Sequence, residues 1–139
     1  MKVFKSKIGL ELVIPLIIVF GTILFLTVYE KPSWLGLAIL LLVLLFVVHI
    51  FMTTYYVING NILTIKCGFL FNKTIKINAI KKISETSNPL SSPATSLDRL
   101  EITFGEYDMV IISPKQKKEF IDEIVNLNPH VEVKYNNNK

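Results

Sequence analysis

Two long runs of apolar side chains, Leu12–Val28 and Trp34–Met52, open the chain, and neither contains an ionised group. Only Tyr29, Glu30, Lys31, Pro32 and Ser33 separate them. At a helical rise of about 1.5 Å per residue, 17 and 19 residues reach about 25 and 28 Å, close to the ~30 Å hydrocarbon core of a bilayer. A helix apolar on every side needs lipid or a large core around it, so the pattern predicts a transmembrane hairpin. Thr27-Val28-Tyr29-Glu30 offers no small-residue cleavage site, which separates the first run from a signal peptide. Glu11, one helical turn after Lys7, is expected to pair with it at the interface. His49 is the ionisable group inside a span, within a turn of the end, where it reaches headgroup water.

After Met52 the continuous pattern gives way to alternation. Thr54–Ile58 leads into the turn signal Asn59-Gly60-Asn61, and Ile62–Cys67 follows with Leu63, Ile65 and Cys67 on one face. Further strands are predicted at about Lys73–Ile77, Ile80–Glu85, Arg99–Phe104 and Met109–Ser113. Gly68-Phe69-Leu70-Phe71 falls at a hairpin tip, where it either grazes the membrane or packs inward, and inward packing is the favoured expectation. The period then becomes helical. Ser113 suits an N-cap and Pro114 the first helical position, which predicts a helix over Pro114–Leu127 with Phe120, Ile121, Ile124, Val125 and Leu127 on one face. Val131–Tyr135 reads as a short edge strand, and Asn136–Lys139 as a tail. The expected fold is an α-helical transmembrane hairpin followed by a small α+β domain, a curved antiparallel sheet closed by a C-terminal helix. Its boundaries fall at 1–53 for the hairpin, 54–129 for the domain and 130–139 for the tail.

Charge adds orientation. Lys2, Lys5 and Lys7 precede the first span, whereas the connecting loop carries Lys31 beside Glu30. Positive charge stays inside, so both termini are expected on the cytoplasmic side of the cell membrane. From Thr54 onward eleven Lys/Arg face nine Asp/Glu, a near balance that argues against a nucleic-acid surface. The lone Cys67, with His49 and His130, provides no disulfide and no zinc set, and no cofactor motif is present.

Chemistry concentrates in the Thr86–Asp98 connection, thirteen residues long and rich in hydroxyls. Asn88, Ser91, Ser92, Thr95, Ser96, Asp98 and Arg99 are the candidates for binding or for organising this loop. Arg99 is the one arginine among fourteen lysines, and its planar fork of donors suits loop carbonyls or a nearby acid such as Asp98 or Glu101. Strand alternation is expected to point it away from Leu100, Ile102 and Phe104. An anion site completed by Ser91, Ser92 or Thr95 is the competing reading. Ser96 with Asp98 sketches a nucleophile and helper, but no histidine accompanies them, so no catalytic residue is assigned. Lys66, Lys73, Lys76, Lys81 and Lys82 form a basic region, read either as a solvated face or as facing the anionic leaflet.

The strand order closed by a helix, behind a two-span hairpin, resembles the bacterial pleckstrin-homology (PH) families, in particular small membrane proteins with a YyaB-like PH domain. The resemblance runs from about Thr54 to Asn128. Its most specific stretch is Asn88-Pro89-Leu90-Ser91-Ser92-Pro93-Ala94-Thr95-Ser96-Leu97-Asp98-Arg99-Leu100-Glu101-Ile102, with Ile112-Ser113-Pro114-Lys115 and Phe120-Ile121 following. It implies a PH-like fold and membrane attachment, and no catalytic activity. Six strands are predicted before the helix where seven are usual, and part of Ser84–Leu97 is the expected source of the seventh. The favoured function is a membrane-tethered binding or scaffold module that engages a protein partner or anionic lipid headgroups, its oligomeric state open. Producer immunity against a membrane-active bacteriocin is one setting the resemblance brings, which nothing in the residues demands. The alternatives are a structural subunit of a membrane complex and a hydrolase using the Ser/Asp-rich loop.

Overall fold

A computed structural model describes residues 1–29, 33–88 and 94–135. In chain order the elements are β1 (Lys2–Lys5), α1 (Leu10–Tyr29), α2 (Trp34–Thr53), β2 (Thr54–Asn59), β3 (Ile62–Cys67), β4 (Phe71–Lys76), a 3-10 turn (Ile77–Ala79), β5 (Ile80–Thr86), β6 (Arg99–Phe104), β7 (Asp108–Ile112), α3 (Lys117–Leu127) and β8 (Glu132–Lys134). The expected hairpin loop (except Tyr29 and Ser33), the expected tail 136–139 and residues 89–93, with Ser91 and Ser92, lie outside the described residues.

The two N-terminal helices are each 20 residues long, and none of their side chains is buried by the rest of the chain. Both are long and apolar enough to cross a membrane. They pack side by side near their connected ends, where a Cβ on Gly36 would stand 3.3 Å from the Thr27 methyl group. A small residue at that point lets two helices approach without a side chain between them.

The remainder forms two four-stranded sheets, ordered β1-β2-β3-β4 and β7-β6-β5-β8. All neighbours are antiparallel except β5 and β8, which pair in parallel. The sheets do not close into a barrel. At one corner the chain passes between them through the 3-10 turn, and at another Ser6 and Pro114 form a single bridge. Their inner faces meet in one core, which includes Leu63, Ile65, Ile83, Leu100, Ile102 and Ile112. Helix α3 fills the open side with Phe120, Ile121 and Ile124, all buried. The expected alternation therefore holds along β3 and β6, and the helix packs with its apolar face inward.

Among the described residues the strand missing from the sequence count is β1, and residues 87–88 and 94–97 form none. Lys2–Lys5 pairs with β2 in the register Lys2↔Ile58 to Lys5↔Tyr55. Phe4 is 4% exposed and meets the Phe120 ring edge-on at 5.2 Å. The lysines read as a flank of the first span thus belong to the domain, with Lys2 paired to Glu123 of α3 at 2.6 Å. Residues 2–6 extend the domain beyond its expected start at Thr54, and the two long helices interrupt it between neighbouring strands. Where the interruption closes, the Ser6 amide donates to the Thr54 carbonyl at 3.2 Å.

Three further expectations change. Helix α3 starts at Lys117 instead of Pro114, because Ser113 and Pro114 are drawn into the corner between sheets and are buried there. Phe69 and Leu70 do not pack inward: they occupy the tight β3–β4 turn and are 73% and 60% exposed, while Phe71 packs against the core. Glu11 does not pair with Lys7, because α1 begins at Leu10 and the helical spacing does not reach back to Lys7.

Candidate functional site

The ends of the strands fall into two groups. One end of the domain receives both helices, since β1 runs into α1 and α2 runs into β2. It also holds the β3–β4 turn, the β5–β6 connection and the β7–α3 corner. The far end holds the β2–β3 turn, the 3-10 turn and the β6–β7 turn. At about 3.3 Å per residue, a six-residue strand such as β3 separates the two ends by about 17 Å.

The helix-bearing end is built on a buried cluster of hydroxyls. Ser6 Oγ lies 3.0 Å from Tyr56 Oη, 2.9 Å from Thr95 Oγ1 and 3.0 Å from Ser113 Oγ. The Ser113 amide donates to Tyr56 Oη at 3.1 Å, and the Thr95 amide donates to Ser113 Oγ at 3.1 Å. Thr95 Oγ1 donates to the Lys7 carbonyl at 2.7 Å. Burial pushes the Tyr56 phenol above its ordinary range, against the opposing pull of its bonds to Ser113 and Ser6. The cluster joins β1, β2, the β5–β6 connection and the β7–α3 corner, each supplying one side chain to satisfy its neighbours' buried polar groups.

Around this cluster the predicted loop residues converge on the start of α1. Glu11 Oε1 accepts from Ser96 Oγ at 2.9 Å and from the Leu97 amide at 3.0 Å, and the Gly9 amide donates to the Thr95 carbonyl at 2.9 Å. Arg99 donates from Nε to the Ser96 carbonyl at 2.5 Å and from a terminal nitrogen to the Asn88 carbonyl at 2.9 Å. The expected use of its fork on loop carbonyls is what the structure shows. Arg99 is 4% exposed although strand alternation sets it on the face opposite Leu100. Burial draws its pKa down, with Tyr56 and Glu11 opposing.

Asp98 lies between two cations. Its carboxylate accepts from Lys7 at 2.9 Å and from Lys117, which also donates to Glu85 at 3.0 Å. Partial burial pushes the Asp98 carboxyl up, but the bonds from Lys117 and Lys7 outweigh it and hold it below its ordinary value. Lys117 moves the other way: burial lowers it, and Asp98 and Glu85 more than restore it. Ser96 is fully buried, its hydroxyl donating to Glu11 and accepting from the Asp98 amide at 3.1 Å. That geometry ties a loop to a helix.

Of the candidates, Asn88, Thr95, Ser96, Asp98 and Arg99 thus share one junction, which also recruits Ser6, Lys7, Gly9, Glu11, Tyr56, Ser113 and Lys117. Two of these additions carry a signal that could have found them: Glu11, a carboxylate at the start of an apolar helix that needs donors, and Ser113, a hydroxyl at a strand end. The basic candidates do not form one surface. Lys66 lies toward the helix-bearing end with its ammonium 5.8 Å from the Tyr55 ring centre, and Lys73 lies mid-strand over Phe104 at 4.7 Å. Lys76, opposite Ile62, sits at the far end, with Lys81 and Lys82 at the start of β5. Among the described residues no His/Cys/Asp/Glu group could hold a metal ion.

A family model described as a bacterial PH domain matches residues 54–128, more than half of the chain. The chain belongs to the bacterial PH domain family. The matched region begins at β2, so β1 lies outside it, on the other side of the two helices. Comparison with curated proteins and with solved structures gives no match. Two packed sheets with a helix over the open side are consistent with a PH-like fold.

Proposed function

We propose that this protein is a membrane-tethered, non-catalytic PH module, held at the cytoplasmic face of the cell membrane and presenting its far end to a soluble protein partner. The observation that carries the reading is the place of the two long helices. They enter and leave the domain at paired positions of adjacent strands, so the N-terminus and everything after α2 share one side of any bilayer that both helices cross. The cytoplasmic side follows from the lysine excess of that side over the α1–α2 connection.

Distance favours a protein over headgroups as the ligand of the remote lysines. Lys76, Lys81 and Lys82 lie about a strand length, some 17 Å, from the helix ends. The Debye length at physiological salt is about 8 Å, so an anionic leaflet attracts them little. The far end also exposes Tyr107 (94%) in the β6–β7 turn. Lysines and an exposed aromatic, with the exposed Glu106 and Asp108 on either side of it, make a mixed-charge surface suited to a protein partner. Catalysis by Ser96 finds no support, since its hydroxyl is already committed to Glu11 and the Asp98 amide.

The test is photo-crosslinking in intact membranes from a reactive residue placed at Tyr107, followed by mass spectrometry, in the native chain and in a chain whose two helices are replaced by unrelated spans of equal length. Capture of the same partner by both supports a binding module. Capture that disappears with the native spans supports the structural-subunit alternative, with the essential contacts in the helices.

A further inference from the structure

The β3–β4 turn combines three features that the tethering role leaves unused. First, it is apolar and bare: Phe69 and Leu70 are 73% and 60% exposed. Second, it leans on α2. The Gly68 amide donates to the Thr53 carbonyl at 3.4 Å, and a Cβ on Gly68 would lie 3.4 Å from Thr53 Oγ1, 3.9 Å from Ile50 and 4.0 Å from His49. Gly68 has φ of +55°, a left-handed conformation that lets the strand turn tightly beside the helix. Third, the turn reaches along the helix. The Phe69 ring centre is 6.0 Å from that of Phe46 and 6.1 Å from that of His49. Phe46 stands seven residues before Thr53, about 10 Å back along the helix axis at about 1.5 Å per residue.

We infer that this turn is a lipid-inserted wedge, with Phe69 and Leu70 buried in the acyl-chain boundary of the leaflet from which α2 emerges. The occupant follows from continuity. The turn flanks a stretch of α2 whose own outward side chains require lipid, so the surface beside it shares that environment. The edges of the turn match the same placement. Met52 and Leu10, at the feet of the two helices, are exposed and apolar, and Lys66 at the end of β3 holds its ammonium 5.8 Å from the Tyr55 ring centre, a long side chain able to reach headgroup water. A third attachment beside the two helices fixes the tilt of the domain as well as its distance from the bilayer. The inference rests on the membrane reading above, and its test separates the two.

The full chain, with Cys67→Ser, receives a single cysteine at Leu70, Leu42 or Tyr107, labelled with an environment-sensitive fluorophore, and is reconstituted into vesicles of phosphatidylcholine and phosphatidylglycerol with or without brominated acyl chains. Leu42 reports on α2 and Tyr107 on the far end. The wedge requires a blue-shifted Leu70 emission that brominated chains quench, quenching at Leu42, and none at Tyr107. Quenching at Leu42 with solvent-like, unquenched emission at Leu70 overturns the wedge and leaves the membrane reading intact. Blue-shifted emission at Leu70 that brominated lipid does not quench also overturns it, because protein, such as a second copy of the chain, then covers the turn. Absence of quenching at both Leu42 and Leu70 overturns both readings.

Discussion

If the two helices interrupt a domain that begins at Lys2, a fragment starting at Thr54 is incomplete. Its β2 edge is unpaired, Phe4 is gone from beside Phe120, and the Tyr56, Thr95 and Ser113 hydroxyls lose Ser6. A second variant removes the helices but keeps the strand: residues 1–9 joined to 54–139 by a short Gly/Ser linker, feasible because Ser6 and Thr54 are already hydrogen-bonded. Deleting a buried Phe side chain costs about 3–5 kcal/mol. That range already includes much of the ring contact, and the lost ladder bonds add about 1 kcal/mol each before the ordering entropy of the strand is set against them. A difference of about 4 kcal/mol is a large part of the 5–15 kcal/mol that stabilises an ordinary domain. With a urea slope of about 2 kcal/mol/M, it lowers the midpoint by about 2 M. Urea titration of both pieces followed by circular dichroism is the assay, with Phe4→Ala in the joined chain as the internal measure. Equal midpoints for the two pieces, or a Phe4→Ala cost under about 1 kcal/mol, would refute the assignment of β1 to the core.

Arg99→Lys is expected to loosen the junction almost as much as Arg99→Ala, because one ammonium cannot span the Ser96 and Asn88 carbonyls; hydrogen exchange at the Thr95, Leu97 and Asp98 amides reads this, and full protection in the lysine variant would show that charge alone suffices. The Asp98 carboxyl is held below its ordinary value of 3.8, so its stabilisation is present above that value and is lost as pH falls through the lower folded value. Asp98→Asn should therefore flatten the acid limb of a thermal-melt series between neutral pH and pH ~2.5, and an unchanged limb would count against the ion-paired geometry. A cysteine at Ser33 in a Cys67→Ser background should react with an impermeant thiol reagent in intact cells while one at Tyr107 stays protected; the opposite pattern would place the domain outside.

The periodic parts of the chain were legible because burial enforces them. Leu63 and Ile65 in β3, Leu100 and Ile102 in β6, and Phe120, Ile121 and Ile124 in α3 are all in the core, at the alternation or helical spacing that predicts them. Strand β1 was not legible for two reasons. It is four residues long and puts one large apolar side chain, Phe4, into the core, too little to show a period. Its lysines also resemble the basic flank that a membrane span ordinarily carries. Pro114 misled in the opposite direction: Ser-Pro reads as a helix start, but buried hydroxyl partners at Tyr56, Ser6 and Thr95 draw Ser113 into the corner. At the site, the residue type of Arg99 disclosed its use, whereas its burial did not show in the strand alternation, which only sets it opposite Leu100. Phe69 and Leu70 are apolar at a turn, and apolarity alone does not distinguish a core from a lipid surface.

Attachment at two adjacent strand ends has a consequence that a single linker would not. A flexible tether of n residues lets a domain wander over roughly 5–6 Å × √n, so its faces meet the membrane at random. Here the path from α1 to β1 is Ser6 to Gly9, and it is bonded along its length: Ser6 to the hydroxyl cluster, Lys7 to Asp98 and to the Ser113 carbonyl, and Gly9 to Thr95. On the other side α2 passes into β2 with no intervening residue. In the proposed membrane setting, the helix-bearing end of the PH domain is therefore always the membrane end, and the far end always points into solvent. A partner that binds the far end meets it at the concentration set by the membrane and in one orientation, so contacts too weak to hold a freely diffusing pair can be sufficient.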